Sequence, residues 1–443
     1  MRRANHSAIS IIEHKTKERE LKMNDLSKLA INGGEPVIKN PLPPRGHFGI
    51  EEKNAAMAMF DAAIAAGTPF GYGGEQEAEF CKEFANAYGG GYADGVNSGT
   101  NAVYVALRAI NPEPFTEVIV GSVTDAGGIM PIVMCNCIPV IADVAPGTYN
   151  TSAEEIEKVI TPLTSAIIVP HIGGEPADMP EIMALAKKHG IPVIEDCSQT
   201  HGAEINGRRV GSFGDIAAFS TMFGKHICTG GQGGMVFTRN EELYWKIRRA
   251  SDRGKPFNID NSNGNVFAAL NCNMSELEAA IGREQLKKLD SIVARRTNFA
   301  RMITEKLADS KTVIVPKLPS GVKHSYWWWR LKINLDALPN KDKFAFLGAV
   351  IAEGVVMMDD YSFAVPSTFD WYTKRCAFGS SHLPWSSSEY KGDANRQFPI
   401  PNTWGTMAEH FNVFLHESWG EAEAEAIAGA FLKVEQAMCK ECK

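Results

Sequence analysis

From about residue 53 to residue 196, segments of helical period alternate with short apolar runs rich in valine and isoleucine, a pattern few folds accept. A run such as EVIVG or AIIVP is too short for a core helix and carries no polar alternate face. It is buried on both sides, as in a parallel sheet whose helices return the chain after each strand. Helices are expected over 51–66, 74–88, 99–109, 153–160 and 179–189, and strands over 117–121, 138–142, 166–170 and 192–195. Gly190 stands where a left-handed helix cap belongs, and 191–195 then reads as a buried strand. Open parallel sheets bind ligands outside the carboxyl ends of their strands, and Asp196 falls at such an end.

Further on, DIAAFST and MVFT read as two strands bracketing Lys225, with Gly230, Gly231, Gly233 and Gly234 in the loop between. From Ser275 the period becomes helical and long, as in a helix that bridges two domains. At 443 residues the chain is too long for one comfortable core. The fold class expected is α/β: an N-terminal extension (1–28), a large domain with a mostly parallel sheet (29–290) and a smaller α+β C-terminal domain (291–443). The latter has a strand near 327–333, helices near 341–352 and 421–437, and a loop-rich, aromatic stretch over 359–397.

A formal net charge of -7 removes any general attraction to nucleic acid or to an anionic membrane surface. No apolar run has the length of a membrane span, and the first residues lack the pattern of a signal peptide. Nine scattered cysteines leave at least one unpaired and suggest a reducing, cytoplasmic setting. Cys439 with Cys442, and Cys135 with Cys137, lack the second pair a structural zinc needs, so no metal is expected. The mixed, charged stretch 1–22 receives no chemistry.

Three features carry chemistry together. A lysine on a partly buried loop at a sheet edge can hold an uncharged amine and attack a carbonyl, and Lys225 has that setting. A buried carboxylate can keep the ring nitrogen of pyridoxal phosphate protonated, which makes the ring an electron sink; Asp196 is placed for it. Ser98, Gly99 and Thr100 open a helix whose free amides and dipole favour a phosphate. Each alone has an ordinary reading, as a solvated lysine, a turn aspartate and an N-cap. In this order along one chain they are the three handles that cofactor requires.

The segments LAINGGEPV (29–37), NSGTNAVYVAL (97–107), HIGGEPADM (171–179), VIEDCSQTHGA (193–203), GSFGDIAAFSTMFGKHICTGGQGG (211–234) and NCNMSELEAAIG (271–282) resemble the DegT/StrS family of sugar aminotransferases. The resemblance implies a fold-type-I pyridoxal-phosphate enzyme, typically a homodimer. It implies that Lys225 bonds the cofactor and shuttles a proton, that Asp196 pairs with the ring nitrogen and that Gln199 lies near the ring hydroxyl. It also implies that Gly99, Thr100 and Ser220 hold the phosphate, and that Asn271 reaches the phosphate of the other subunit, so that two chains share each site.

Some positions depart from the family. Where it stacks an aromatic residue over the ring this chain reads SVTDAGG, with Asp125 the candidate at that place, and the usual GEGG loop is GGQGG with Gln232 for the acid. An arginine usual near Asn273 is missing. His171, His201 and His226 are candidate substrate contacts, against an equal reading of the first two as hydrogen-bonded structural histidines. Alternate rings of Trp327 to Trp329 are expected to pack into the small domain.

The function expected is transfer of an amino group from glutamate or glutamine to a keto-sugar, nucleotide-linked or free, or to a keto-cyclitol. The rivals are a sugar dehydratase or lyase on the same cofactor, and a non-catalytic regulator with the same fold. One branch of the family replaces the lysine by histidine and dehydrates sugars, whereas here the lysine is kept. The glycine loop lacks the lysine and hydroxyl of a P-loop.

Overall fold

The computed structural model describes residues 26–439; the extension over 1–22 and Cys442 of the terminal CxxC lie outside the described residues. The strands begin with β1 (Tyr92–Val96), β2 (Glu117–Gly121), β3 (Ile138–Ala142), β4 (Thr164–Pro170), β5 (Val193–Asp196), β6 (Glu204–Ile205), β7 (Arg208–Arg209), β8 (Ile216–Ser220) and β9 (Gly234–Thr238). Seven of them form one sheet in the order β1-β9-β8-β5-β4-β2-β3. Neighbours from β8 to β3 run parallel, and β9 runs antiparallel to both β8 and β1. Every residue of β2, β3, β5, β8 and β9 is buried, which is why these strands read as unbroken apolar runs. Pro170 pairs with Asp196 and Asp196 with Ala218, so the carboxyl ends of β4, β5 and β8 stop level with one another.

Two of the elements that the sequence pattern did not announce run against local propensity. β1 contains Asp94 and Gly95, both poor strand formers, yet the Asp94 carboxylate is buried and satisfied by Arg248 and the Ser251 hydroxyl. The helix Ala126–Met134 contains Gly127, Gly128 and Pro131; its Ile129, Ile132 and Val133 are buried, and their packing overrides weak propensity. Conversely, the long periodic stretch after Ser275 divides into Glu276–Leu286 and Leu289–Lys306. The first packs on the helices Ile50–Ala66 and Glu75–Ala87, the second on Glu421–Met438, and one straight helix could not serve both surfaces.

A second, antiparallel sheet has the order Val313–Ile314, Trp329–Ile333, His410–Val413, Met357–Met358. The helices Leu289–Lys306, Lys343–Ala352 and Glu421–Met438 contribute to its core, which Leu29 also joins. Between Met358 and the helix Pro401–Glu409 the chain makes only short turns and the one-turn helix Asp370–Thr373. This stretch returns to the large sheet, where the Thr124 amide donates to the Ala364 carbonyl at 2.8 Å.

Candidate active site

At the level carboxyl ends of β5 and β8, against the start of the helix Gly99–Ile110, lies a cavity of about 240 Å³. Ser98, Gly99, Thr100, Asp125, His171, Asp196, Gln199, Ser220 and Lys225 all line it. The Ser98 hydroxyl accepts the Asn101 amide at 3.1 Å, so it caps the helix and leaves the earlier amides unpaired within it. Gly99 is required by closeness: a Cβ there would lie 2.5 Å from that of Ser220. Free amides, two hydroxyls from Thr100 and Ser220, and no side chain at Gly99 make a cradle that fits a phosphate. Gly99→Ala is expected to weaken retention of a phosphorylated cofactor by about 1–3 kcal/mol, the usual cost of overpacking, which a cofactor-release assay reads directly.

Asp196 and Lys225 are each 7% exposed. Burial pushes the Asp196 carboxyl up from its ordinary range, against the Ser198 hydroxyl and amide and the Lys225 charge, which pull it down. Burial also brings the Lys225 ammonium down from 10.5 to about 8, with Asp196 and Asp125 opposing. A buried carboxylate and an amine readily uncharged near neutral pH are the pair needed by a pyridinium ring and its aldehyde. In the cofactor-free protein, acylation of Lys225 is expected to be half-maximal near pH 8, since the proton that blocks attack leaves there. Asp196→Asn is expected to move that midpoint lower, because it removes the carboxylate that favours the ammonium; peptide mapping across a pH series measures both.

Among the described residues, no Phe, Tyr or Trp side chain lines the cavity beside Asp125. The Asp125 carboxylate accepts the Gly127 amide at 3.0 Å and caps the next helix. Gly127 and Gly128 follow, where a Cβ would come within 2.6 Å of the Thr100 hydroxyl and 2.2 Å of the Thr124 hydroxyl. Gln199 is held on both ends: its carbonyl accepts the Gly173 amide at 2.8 Å and its amide donates to the Tyr361 hydroxyl at 3.4 Å.

Comparison with known proteins bears on this geometry. The model of the DegT/DnrJ/EryC1/StrS aminotransferase family matches residues 51–396. The chain belongs to that family. It is 31% identical over 323 residues to L-glutamine:2-deoxy-scyllo-inosose aminotransferase of Streptoalloteichus tenebrarius, covering 70% of this chain and 75% of that one. It is 34% identical over 266 residues to GDP-perosamine synthase of Caulobacter vibrioides, covering 60% and 71%. The crystal structure of an aminotransferase from Psychrobacter cryohalolentis superposes with a TM-score of 0.76 at 29% identity, covering 88% of this chain and 98% of that one.

In this aminotransferase each of the three histidines is bonded to the surrounding scaffold. The His171 ring accepts the Ala177 amide at Nδ1, which leaves Nε2 to donate to Glu195 at 3.2 Å, although one edge of the residue reaches the cavity. Glu195 also accepts the amides of Gly211, Phe213 and Gly214, so its oxygens are committed. Neither His201 nor His226 lines the cavity, and the reading of both as substrate contacts gives way to a structural one. Their Nε2 atoms donate to the carbonyls of Ser220 at 2.8 Å and Ser325 at 3.0 Å. Burial brings His201 down to about 4 and His226 well below the ordinary value, so both stay neutral at pH 7. Asn271 is exposed, bonded to Asn273 at 2.7 Å, and contributes nothing to the cavity of its own chain.

Other residues support the site, among them Trp327, which the sequence assigned to the small-domain packing. The Lys225 amine lies 3.8 Å from the centre of the Trp327 ring, whose indole N–H donates to the Gly224 carbonyl at 2.8 Å. Arg45 donates to the carbonyls of Lys225 at 2.6 Å and His226 at 2.8 Å, while Arg296 donates to those of Tyr326 at 2.7 Å and Trp327 at 3.1 Å. Glu417 lies between the two guanidiniums, accepting Arg45 Nε at 2.7 Å and Arg296 Nε at 2.9 Å. One buried carboxylate thus ties together the segment that carries the lysine and the segment that carries the ring beneath it. The sequence motifs mark Lys225 but not its supports, because these come from residues far apart in the chain.

Proposed function

We propose that this aminotransferase transfers the amino group of glutamate or glutamine to a ketone on a sugar, free or nucleotide-linked, or on a cyclitol. The carrying observation is the single cavity that joins a buried amine shifted to about 8, a buried carboxylate and a helix N-terminus free of side chain. The cofactor is pyridoxal phosphate, which when bound supplies an electron sink for the carbon that loses its proton. Gly99, Thr100 and Ser220 bind its phosphate, and Asp196 holds the proton on its ring nitrogen. Lys225 Nζ anchors the cofactor, then takes and returns the proton at the reacting carbon, so both half-reactions use one acid-base group. The acceptor class is supported by relatives named for a nucleotide sugar and for an inosose.

The working unit is a homodimer. Two features support this: the position of Asn271, exposed in its own chain, and an apolar stripe on the helix Ile50–Ala66. There Ile50, Met57, Phe60 and Ile64 are 58%, 52%, 47% and 77% exposed. Mixing inactive Lys225→Ala with inactive Asn271→Ala chains is expected to restore activity, because half of the sites in a mixed dimer are intact. No recovery on mixing would place Asn271 outside the partner's site. The acceptor reading is tested by absorbance of the purified protein before and after glutamate or glutamine, followed by incubation with keto-sugars and 2-deoxy-scyllo-inosose. A cofactor band that a donor converts and a keto acceptor restores is the expected result. A band that no donor changes points instead to a dehydratase.

A further inference from the structure

A larger cavity, of about 960 Å³, lies in the loop-rich stretch from Ser367 to Trp404 and shares no lining residue with the catalytic cavity. Its wall runs beside β3, the outer strand of the large sheet, where the Tyr372 hydroxyl donates to the Pro139 carbonyl at 3.2 Å. In a chain of net charge -7, none of the residues lining this cavity is acidic, while Lys374, Arg375 and Arg396 all reach it. Such a one-signed lining concentrates an anion.

The cations differ in how far they are already committed. Lys374 pairs with Asp370 at 2.6 Å, and Arg396 stands 3.9 Å from Glu117. Arg375 has no carboxylate partner among the described residues. One of its N–H groups donates to the Arg396 carbonyl at 2.9 Å, and its guanidinium lies over the Tyr372 and Trp385 rings at 5.6 and 5.4 Å. Arg375 and His382 both hold a left-handed backbone, with φ of 56° each, a conformation that non-glycine residues keep only when surrounding structure enforces it. Trp385, 3% exposed, forms part of the cavity wall. At the mouth, Trp404 offers a ring that is 43% exposed.

We propose that this cavity is a second ligand site, separate from the catalytic one, for a small anion that carries a flat ring, of the size and chemistry of a nucleoside monophosphate. The volume is that of a pocket for a small organic ligand. Arg375, held over the Trp385 ring, takes the anionic group, and Trp404 stacks on the flat ring. Neither a purely apolar ligand nor a bare phosphate would use both kinds of wall.

The test is titration of the full-length, cofactor-loaded protein with uridine monophosphate, followed by tryptophan fluorescence and calorimetry, with uridine and inorganic phosphate run separately. Saturable binding at one site per chain is expected, weakened about 10-fold or more by Arg375→Ala and by Trp404→Ala. The transamination rate is expected to be unchanged in both. Trp404 is exposed enough for its removal to spare the fold, so a misfolded Arg375 variant would leave the test intact. Absence of saturable binding, or binding that the Trp404 substitution does not weaken, overturns the proposal. Phosphate or uridine binding as tightly as the nucleotide overturns it as well.

Discussion

Replacing Lys225 by alanine is expected to lower transamination by about 10⁴-fold while the protein remains folded, because one side chain both anchors the cofactor and moves the proton. The fold is spared for a stated reason. In the cofactor-free protein below about pH 8 the buried ammonium is held against the cost of desolvation, and its removal relieves that cost. The lost contact with the Trp327 ring is worth only about 0.5–2 kcal/mol. Circular dichroism and thermal unfolding are expected to match the unsubstituted protein, while the visible cofactor band is altered. Retained turnover in this variant would remove Lys225 from the centre of the mechanism.

Glu417→Ala is expected to be the most destabilising single change, costing about 3–5 kcal/mol, since it strands two guanidiniums. The side chains of Arg45 and Arg296 are 13% and 2% exposed, too buried for water to replace the carboxylate. Burial alone would raise the Glu417 carboxyl, but His47, Arg296 and Arg45 outweigh it and hold the group well below the ordinary carboxylate range. A carboxyl depressed on folding adds stability that is full above its unfolded value near 4.5 and is lost as pH falls below it. The stability gap between the unsubstituted protein and Glu417→Ala is therefore expected to shrink in acid, as denaturant titrations at pH 7 and pH 4 measure. The same change loosens both backbone segments that meet at Lys225 and Trp327, so the lysine's titration near pH 8 is expected to move as well. A gap that stays constant between the two pH values would mean that packing, and not the ion pair, explains the loss.

The strands β2 and β3 and the helix Met179–His189 lie where the periodicity puts them, and the mostly parallel character of the large sheet follows from helices alternating with apolar runs. The pattern failed at β1 and at Ala126–Met134, where Asp94, Gly127, Gly128 and Pro131 contradict local propensity and burial decides. It also joined two helices after Ser275 that tertiary packing separates. His201 and His226 looked like site residues because of their neighbours in sequence, yet neither lines the cavity and the Nε2 of each bonds a backbone carbonyl, of Ser220 and of Ser325.

The sequence by itself determined the α/β class and the places of Ser98, Gly99, Thr100, Asp196 and Lys225, because these rest on local demands: a helix start, a strand end, a loop between strands; Ser220 came from the family resemblance alone. Only the tertiary structure decided what surrounds them. Glu417 reaches Arg45 across 372 residues, Trp327 lies under the Lys225 amine, and Arg375 and Trp385 meet in a cavity that no period announces. A repeat of 3.6 or 2 residues encodes which face of an element is apolar, but it holds no information about which distant side chain will meet that face.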